Sequence, residues 1–211
     1  MNESELRREI VKIGHKLYER GYVVATDGNI SARLDDGRLI FTPTGKCKGE
    51  LQEDELVVMH PSDDYSEFAG LTSEAPMHLE VYQQRQDVKA VIHSHPPYTV
   101  ALNLAGIDLK WNLLPELILT LGEVPTTPFA TPCTPEGAEA IRELIKDHNA
   151  IVLYRHGALT VGTNLEEAFH RLERLEFAAK VIYLAHTLAE PEPLTGEQEE
   201  KILEVKGRLG L

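Results

Sequence analysis

The chain has 211 residues, 42% of them hydrophobic, and its 34 acidic and 21 basic side chains give a net charge of -13, which argues against nucleic-acid and anionic-membrane partners. This length and composition allow one domain over residues 1–211, with a core that needs neither disulfides nor a structural metal. The two cysteines, Cys47 and Cys133, lack disulfide or metal-site spacing, and no apolar run is long enough to span a membrane, so we expect a protein of the reducing cytoplasm.

The first third of the chain is predicted to contain a helix and three strands. Asn2 begins a capping-box pattern, and apolar residues at helical spacing predict a helix that ends near Gly21. The alternating stretch over residues 23–41 has two aspartates and a glycine in its middle, which predicts a hairpin. Leu56 to Met59 is the next predicted strand, and the polar residues 62–70 form a surface connection.

The middle of the chain is predicted to alternate helices with apolar strands. The hydroxyl residues Thr72 and Ser73 indicate the cap of a helix that runs to about Gln86. The β-branched run over residues 88–92 predicts a buried strand that stops where two histidines begin. The later elements are a helix over 97–105, a short apolar helix over 113–119, an edge strand or loop over 124–130, and a helix from Thr134 to His148.

The last third contains two apolar runs followed by two helices. The runs occupy residues 150–162 and meet at His156. Asn164, with a glutamate three residues later, makes a second capping-box pattern at the start of a long helix to about Leu188. Residues 189–211 are a Pro-rich linker and a short charged helix, which we expect to dock on a neighbour.

Histidines at strand ends indicate a metal site. His93 and His95 are two residues apart, so on a strand both point to one face, and His156 stands where another apolar run ends. Three neutral imidazoles suit zinc with one or two open positions, and they also suit cobalt, nickel or iron. Glu74, at a helix start, could then move a proton at a substrate carbon while the metal acts as a Lewis acid that stabilises an enediolate.

Short loops rich in glycine and hydroxyl residues could bind a phosphate through backbone N–H groups, and the helix start at Ser73 adds a partial positive charge. An acidic protein could hold an anion in this way. Plain turns are the alternative. Lys46 and Lys48 either attract the anion or lie on a solvated loop. The candidate phosphate-binding residues are Gly28, Asn29, Thr44, Gly45, Thr72 and Ser73.

Each candidate has a structural alternative. The three histidines could form a hydrogen-bonded core cluster, and Glu74 could be a first-turn acid that favours the helix dipole. His78 lies four residues after Glu74, on the same helix face, where it could orient that carboxylate. We expect the other histidines to be surface or packed residues: His15, His60, His148, His170 and His186.

As a set, these motifs resemble the class II aldolase/adducin family, and within it the L-fuculose-phosphate aldolases. The shared motifs, in family order, are Gly28-Asn29-Ile30-Ser31, Thr42-Pro43-Thr44-Gly45, Ser73-Glu74-x-x-x-His78, His93-x-His95 and His156-Gly157. The resemblance implies an α/β fold, with a mostly antiparallel sheet flanked by helices, and a cyclic homotetramer with active sites between subunits. It also implies zinc on the three histidines, with Glu74 as a ligand in the free enzyme and as the acid/base once substrate displaces it, and a phosphorylated sugar bound by the six candidate phosphate residues.

Two departures from the aldolase pattern concern the aldehyde end of the site. The tyrosine that these aldolases take from an adjacent subunit aligns near Leu114, and no tyrosine is close in sequence. Glu116 is close, and the family's dehydratases have a catalytic glutamate at about that position. An aromatic residue of the aldehyde pocket aligns near Pro132. The epimerases of the family are less similar, because they have aspartate where Glu74 stands.

The resemblance implies zinc-dependent, reversible aldol cleavage of a ketose 1-phosphate, similar to L-fuculose 1-phosphate, into dihydroxyacetone phosphate and an aldehyde. Glu74 and Glu116 are the candidate catalytic residues. A sugar-phosphate dehydratase, such as one acting on methylthioribulose 1-phosphate, is an alternative within the family. A non-catalytic assembly module similar to adducin is an alternative of another class.

Overall fold

The computed structural model describes residues 2–210, in which six strands form one sheet. All neighbouring strands are antiparallel, and their order is β3-β2-β1-β4-β6-β5. This arrangement confirms the predicted antiparallel sheet. The strands are β1 Asn29–Arg33, β2 Leu39–Phe41, β3 Val57–Met59, β4 Ala90–Ser94, β5 Ala150–Leu153 and β6 Gly157–Gly162.

Helices cover both faces of the sheet. Because successive residues of a strand point to opposite faces, Ile92 packs on the side of α1 and α6, whereas Val91 packs on the side of α2 and α5. The predicted α/β class, with a sheet flanked by helices, is thereby confirmed. The helices are α1 Glu3–Glu19, α2 Ala75–Gln84, α3 Pro97–Leu104, α4 Pro115–Thr120, α5 Glu136–Ile141, α6 Leu165–Leu188 and α7 Gly196–Leu209.

Two predicted boundaries are wrong. The helix predicted to reach His148 ends at Ile141 and is followed by a 3-10 turn, Leu144–Lys146, which lets both Ile141 and Ile145 pack against the sheet. The strand predicted to stop at residue 92 continues to Ser94, because β6 pairs with it up to that residue. Pairing with β6 therefore keeps two residues beyond the apolar run, His93 and Ser94, in the strand.

Two predicted caps also differ from the structure. Glu74 itself, rather than a hydroxyl residue, is the N-cap of α2, and its backbone N–H lies 3.4 Å from Oγ1 of Thr72. At α6, the side chain of Asn164 accepts from the N–H of Glu167, as predicted. The carboxylate of Glu167 accepts instead from the N–H and hydroxyl of Thr163, so the capping box is only half formed.

The carboxyl-terminal helix packs on its own chain. Nζ of Lys206 in α7 donates to the backbone oxygen of Ile118 in α4 at 2.8 Å. Residues 124–130 are a loop with one parallel bridge, between Thr126 and Val152. No helix within residues 2–210 is long and apolar enough to cross a membrane. That residues 1–211 form one domain stays a prediction.

Replacing Glu176 by alanine is expected to lower the free energy of unfolding by about 1–3 kcal/mol. Its buried carboxylate accepts from the backbone N–H groups of Tyr98 and Thr99, at 2.8 and 2.9 Å, and thereby caps α3 directly after the histidine strand. Glu173, one turn earlier in α6, pairs with Arg20, a residue whose side chain is largely exposed, so Glu173→Ala should change stability by about 0.5 kcal/mol or less. If urea unfolding showed that Glu176→Ala and Glu173→Ala lower the free energy of unfolding equally, the capping role of Glu176 would be contradicted.

Candidate active site

Three histidine side chains converge at one end of the sheet. His93 is on β4 and His95 follows two residues later, so both rings lie on the same side. The antiparallel register of β4 and β6 sets Ser94 opposite Ala158, and the turn before β6 therefore brings His156 to the same end. One ring nitrogen of each histidine lies within 4.8 Å of those of the other two. The predicted metal-binding histidines are assembled by two neighbouring strands.

Two glycines permit this close approach. A Cβ on Gly157 would collide with the backbone oxygen of Ser94 and would lie 3.1 Å from Cε1 of His93. Gly28 has a φ of 69°, and a Cβ there would lie 2.9 Å from the backbone oxygen of His93. A larger residue at either position would push the histidine strand out of place.

The hydrogen bonds of two imidazoles turn their Nε2 atoms toward the centre of the site. Nδ1 of His93 lies 3.0 Å from the backbone oxygen of Ala158, and Nδ1 of His95 lies 3.3 Å from Oδ2 of Asp27. Both oxygens accept, so Nδ1 is the donor in each ring and Nε2 is the nitrogen that faces the other histidines. These two Nε2 atoms face each other at 3.1 Å, an arrangement that a cation between them would stabilise. Burial lowers the pKa of His156, to about 4, so that ring is neutral near pH 7.

Glu74 completes a set suited to a divalent metal. Its Oε2 lies 3.1 Å from Nε2 of His93 and its Oε1 lies 3.7 Å from Nε2 of His156. Burial acts to raise the pKa of Glu74, but His93 and the amide of Asn29 outweigh it and hold that pKa below its ordinary value. His78 was predicted to orient this carboxylate from the next helical turn. It contacts Asn29 instead, and Asn29 Nδ2 donates to Oε2 of Glu74 at 2.8 Å.

The predicted phosphate-binding loops meet in one cavity of about 290 Å³, beside the histidines. Three separate loops contribute to its wall, and Glu74, His95 and His156 line it as well. Asn29 lines it too, although its side-chain amide bonds to Glu74 and His78. The six predicted residues that line this cavity are Gly28, Asn29, Thr44, Gly45, Thr72 and Ser73.

Lys48 also lines the cavity, and sequence reasoning had left its role open. It is 1% exposed, and its Nζ donates to the backbone oxygens of Thr26 at 3.1 Å and of Lys46 at 2.6 Å. Burial lowers its pKa. The side chain of Lys46, in contrast, is 53% exposed and pairs with Glu55. The solvated-loop interpretation therefore holds for Lys46 and is wrong for Lys48.

Comparison with known families identifies the fold and the class of enzyme. The family model described as "Class II Aldolase and Adducin N-terminal domain" matches residues 8–183. The chain belongs to the class II aldolase/adducin family. The predicted class of protein, a carbon–carbon lyase of the class II aldolase type, is thereby confirmed.

Similar proteins include enzymes with two different reactions. A 3-oxo-tetronate 4-phosphate decarboxylase of Pectobacterium atrosepticum is 34% identical over 187 residues, 87% of this chain and 86% of that protein. An L-fuculose phosphate aldolase of Methanococcus maripaludis is 33% identical over 179 residues, 84% of this chain and 96% of that protein. The crystal structure of YgbL from Klebsiella pneumoniae, a candidate aldolase, epimerase or decarboxylase, has a TM-score of 0.87 at 34% identity and covers 96% of this chain and 99% of its own.

In this member of the class II aldolase/adducin family, Glu116 does not lie beside the three histidines of its own chain. It lines a separate groove of about 970 Å³ between α3, α4 and α6, together with Leu114, Tyr98 and the 66% exposed side chain of Phe177. Pro132, in contrast, lines a small cavity next to Glu74 and His156. Of the predicted site residues, Glu116 alone lies outside the histidine end of the sheet. Its catalytic role stays a prediction.

Proposed function

We propose that the protein is a metal-dependent carbon–carbon lyase that acts on a phosphorylated substrate. The observation that carries this proposal is the convergence of three imidazoles and Glu74 beside the 290 Å³ cavity with its phosphate-binding groups. His93, His95, His156 and Glu74 would hold the ion, and zinc fits this ligand set. When bound, the ion supplies a Lewis acid that stabilises the negative charge on substrate oxygens next to the broken bond.

The chain's own residues would hold the substrate and move the proton. Glu74, ionised and held by Asn29, would take up a proton from a substrate hydroxyl or from solvent and give it to the carbon next to the carbonyl after the bond is broken. The loops at Gly28, Gly45 and Thr72 offer backbone N–H groups and hydroxyls to the phosphate. The phosphate and the reacting carbon would thus be fixed on two sides of one cavity.

Two reactions of the relatives share this chemistry. Aldol cleavage of a ketose 1-phosphate breaks the bond one carbon beyond the carbonyl and leaves dihydroxyacetone phosphate after protonation. Decarboxylation of 3-oxo-tetronate 4-phosphate breaks the equivalent bond and leaves the same three-carbon product. The difference lies in the leaving group, because an aldehyde must lose a hydroxyl proton as it departs and carbon dioxide needs no such proton transfer.

Decarboxylation is the candidate that the comparisons favour. Decarboxylases of 3-oxo-tetronate 4-phosphate are 31–37% identical to this chain, and no tyrosine is close in sequence to Leu114, near which the tyrosine of the aldolases aligns. Absence of a tyrosine, a side chain that can exchange a proton, is compatible with a leaving group that needs no proton transfer. Aldol cleavage of a substrate similar to L-fuculose 1-phosphate, the reaction expected from the sequence, is the second candidate and is supported by the fuculose phosphate aldolases at 33–34% identity.

A product assay on the metal-loaded protein tests both candidates. We expect 3-oxo-tetronate 4-phosphate to give carbon dioxide and dihydroxyacetone phosphate, with a kcat/KM at least about 100-fold above that for L-fuculose 1-phosphate, a difference of about 2.7 kcal/mol. Chelation should abolish the reaction, and added zinc should restore it. Loss of water without carbon–carbon cleavage would identify a dehydratase. No cleavage of either substrate by metal-loaded protein would contradict the proposal.

We also infer a cytoplasmic homotetramer with active sites between subunits, as the sequence resemblance implies. Support comes from the groove that contains Glu116, because its apolar rim includes the largely exposed Phe177. A neighbouring subunit on this surface could carry Glu116 toward the histidines of the next chain. Light scattering should give four chains per particle, and a monomer that is fully active would contradict this arrangement.

We propose that Nζ of Lys48, which lines the cavity, also donates to the phosphate, so replacing Lys48 by methionine is expected to raise the KM for the phosphorylated substrate by about 10–100-fold with little change in kcat. Methionine keeps the length and packing of the buried chain. Lys46→Met removes the same charge from an exposed position and should leave KM unchanged. Steady-state kinetics of both variants would detect the difference, and equal KM values would argue against phosphate binding by Lys48.

A further inference from the structure

A line of buried polar side chains, here called the Tyr82–Glu74 chain, connects helix α2 with strand β1. Glu74, His78 and Tyr82 are spaced four residues apart, so they lie on one side of the helix start and its first two turns. Asn29 and Ser31 are two residues apart on β1, so they point to the same face of the sheet. These two sets of side chains meet in the interior of the protein.

Every neighbouring pair in the chain is within hydrogen-bond distance. Asn29 Nδ2 donates to Glu74 Oε2 at 2.8 Å, and Asn29 Oδ1 lies 2.6 Å from Nε2 of His78. On the other side of the ring, Nδ1 of His78 lies 2.6 Å from Oγ of Ser31, which in turn lies 2.8 Å from the hydroxyl oxygen of Tyr82. Ser31 and His78 are fully buried, and Tyr82 is 2% exposed.

Donor and acceptor chemistry gives these bonds one direction. The Glu74 carboxylate only accepts, so the nitrogen of Asn29 must face it, and the amide oxygen must face His78. That oxygen only accepts, so the proton of His78 is on Nε2. Burial lowers the pKa of His78, to about 3, so its Nδ1 has no proton and accepts from the hydroxyl of Ser31. The single proton of Ser31 is then used, and Tyr82 donates to its oxygen. All four bonds point toward Glu74.

We propose that Tyr82, Ser31 and His78 are positioning residues, which fix the orientation of the Asn29 amide so that its nitrogen always faces Glu74. The inference rests on the proposed role of Glu74 in proton transfer. Without the N–H of His78, the amide oxygen of Asn29 would have no donor to hold it, and the amide could rotate away from the carboxylate. Glu74 would then lose the donor that holds its Oε2. A role limited to packing α2 on β1 would have no such dependence on one N–H group.

Two amide substitutions at His78 separate these roles. In His78→Gln, the side-chain nitrogen can reach the position of Nε2 and still donate to Asn29. In His78→Asn, the shorter amide reaches only the position of Nδ1, so the bond to Asn29 is lost at similar polarity. At equal metal content, we expect kcat to stay within about threefold for His78→Gln and to fall about 10–100-fold for His78→Asn, with KM changed by about twofold or less. Equal kcat values for the two folded variants, or a loss in KM alone, would overturn the proposal.

Nitrogen-15 NMR of the imidazoles gives a readout that needs no activity. Near neutral pH, His78 is expected to be neutral with its proton on Nε2, and that proton should be protected from exchange. The side-chain amide protons of Asn29 should change their shifts in His78→Asn and keep them in His78→Gln. A proton on Nδ1 of His78, or identical Asn29 shifts in both variants, would overturn the proposed orientation. A wild-type protein that shows the expected NMR pattern but no lyase turnover would refute the proposed function and leave the orientation standing.

Discussion

Replacing Glu74 by glutamine is expected to lower kcat by about 100–10,000-fold, the range typical for loss of a positioned acid/base. Glutamine has nearly the same shape, and its oxygen can still accept from Nδ2 of Asn29, so the fold and the neighbouring hydrogen bond should persist. What is lost is the group that takes up and returns the proton, and since Glu74 would also bind the ion, kcat is compared at equal metal content. KM should change by less than about threefold, because the phosphate loops are untouched.

A matched change on the same helix provides the control. Glu80 lies six residues after Glu74, and its carboxylate pairs with Arg142 at 2.8 Å, away from the histidines. Glu80→Gln should leave kcat within about twofold of wild type, because the carboxylate of Glu80 bonds to Arg142 and Gln84 and not to the residues around the histidines. If the Glu74→Gln enzyme kept more than about a tenth of wild-type kcat, Glu74 would not be the acid/base.

Replacing His156 by alanine is expected to lower kcat/KM by about 1,000-fold or more, because the ion stabilises the negative charge of the transition state by about 4 kcal/mol. Bound metal should fall from about one ion per chain to a small fraction of that value, as three ligands would remain of four. The side chain of His156 is 20% exposed, whereas His93 is fully buried, so this change disturbs the core less than a change at His93 would.

His170→Ala is the control for the loss of an imidazole. Its side chain is 46% exposed on α6, where it faces Glu166. Metal content measured by mass spectrometry and kcat/KM should both stay at wild-type values. A His156→Ala protein that bound as much metal as wild type would remove His156 from the ligand set.

The sequence predicted the site best where all residues of a motif lie on one strand, helix or turn. His93 and His95 are two residues apart on a strand, so their common direction follows from strand geometry alone. The start of α2 at Glu74 and the turn at Gly157 are local features as well. These residues come together only because β4 pairs with β6. The spacing of residues along the chain cannot predict that pairing, whereas the resemblance to a known family implies it.

Residues that act across elements were missed or misjudged. Asp27 bonds to His95 from a loop about 70 positions earlier, and only a carboxylate next to Gly28 hinted at it. Lys48 is buried because its loop folds under the cavity, whereas its neighbour Lys46 is in solvent. His78 satisfies the helical i+4 rule toward Glu74, yet the amide of Asn29 on another element comes between them. The helical spacing was therefore correct, but a hydrogen bond from another element decided which residue contacts Glu74.

X-ray absorption spectroscopy of the zinc-loaded wild-type protein tests the central claim most directly, because it reports the ligands of the ion itself. The account predicts three imidazole nitrogens and one or two oxygens at about 2.0–2.2 Å, with one ion per chain. In His156→Ala protein loaded to measurable occupancy, one imidazole should be missing from the spectrum. A spectrum with sulfur scattering, or with fewer than three imidazoles in the wild-type protein, would contradict the assignment of His93, His95 and His156 as the metal site.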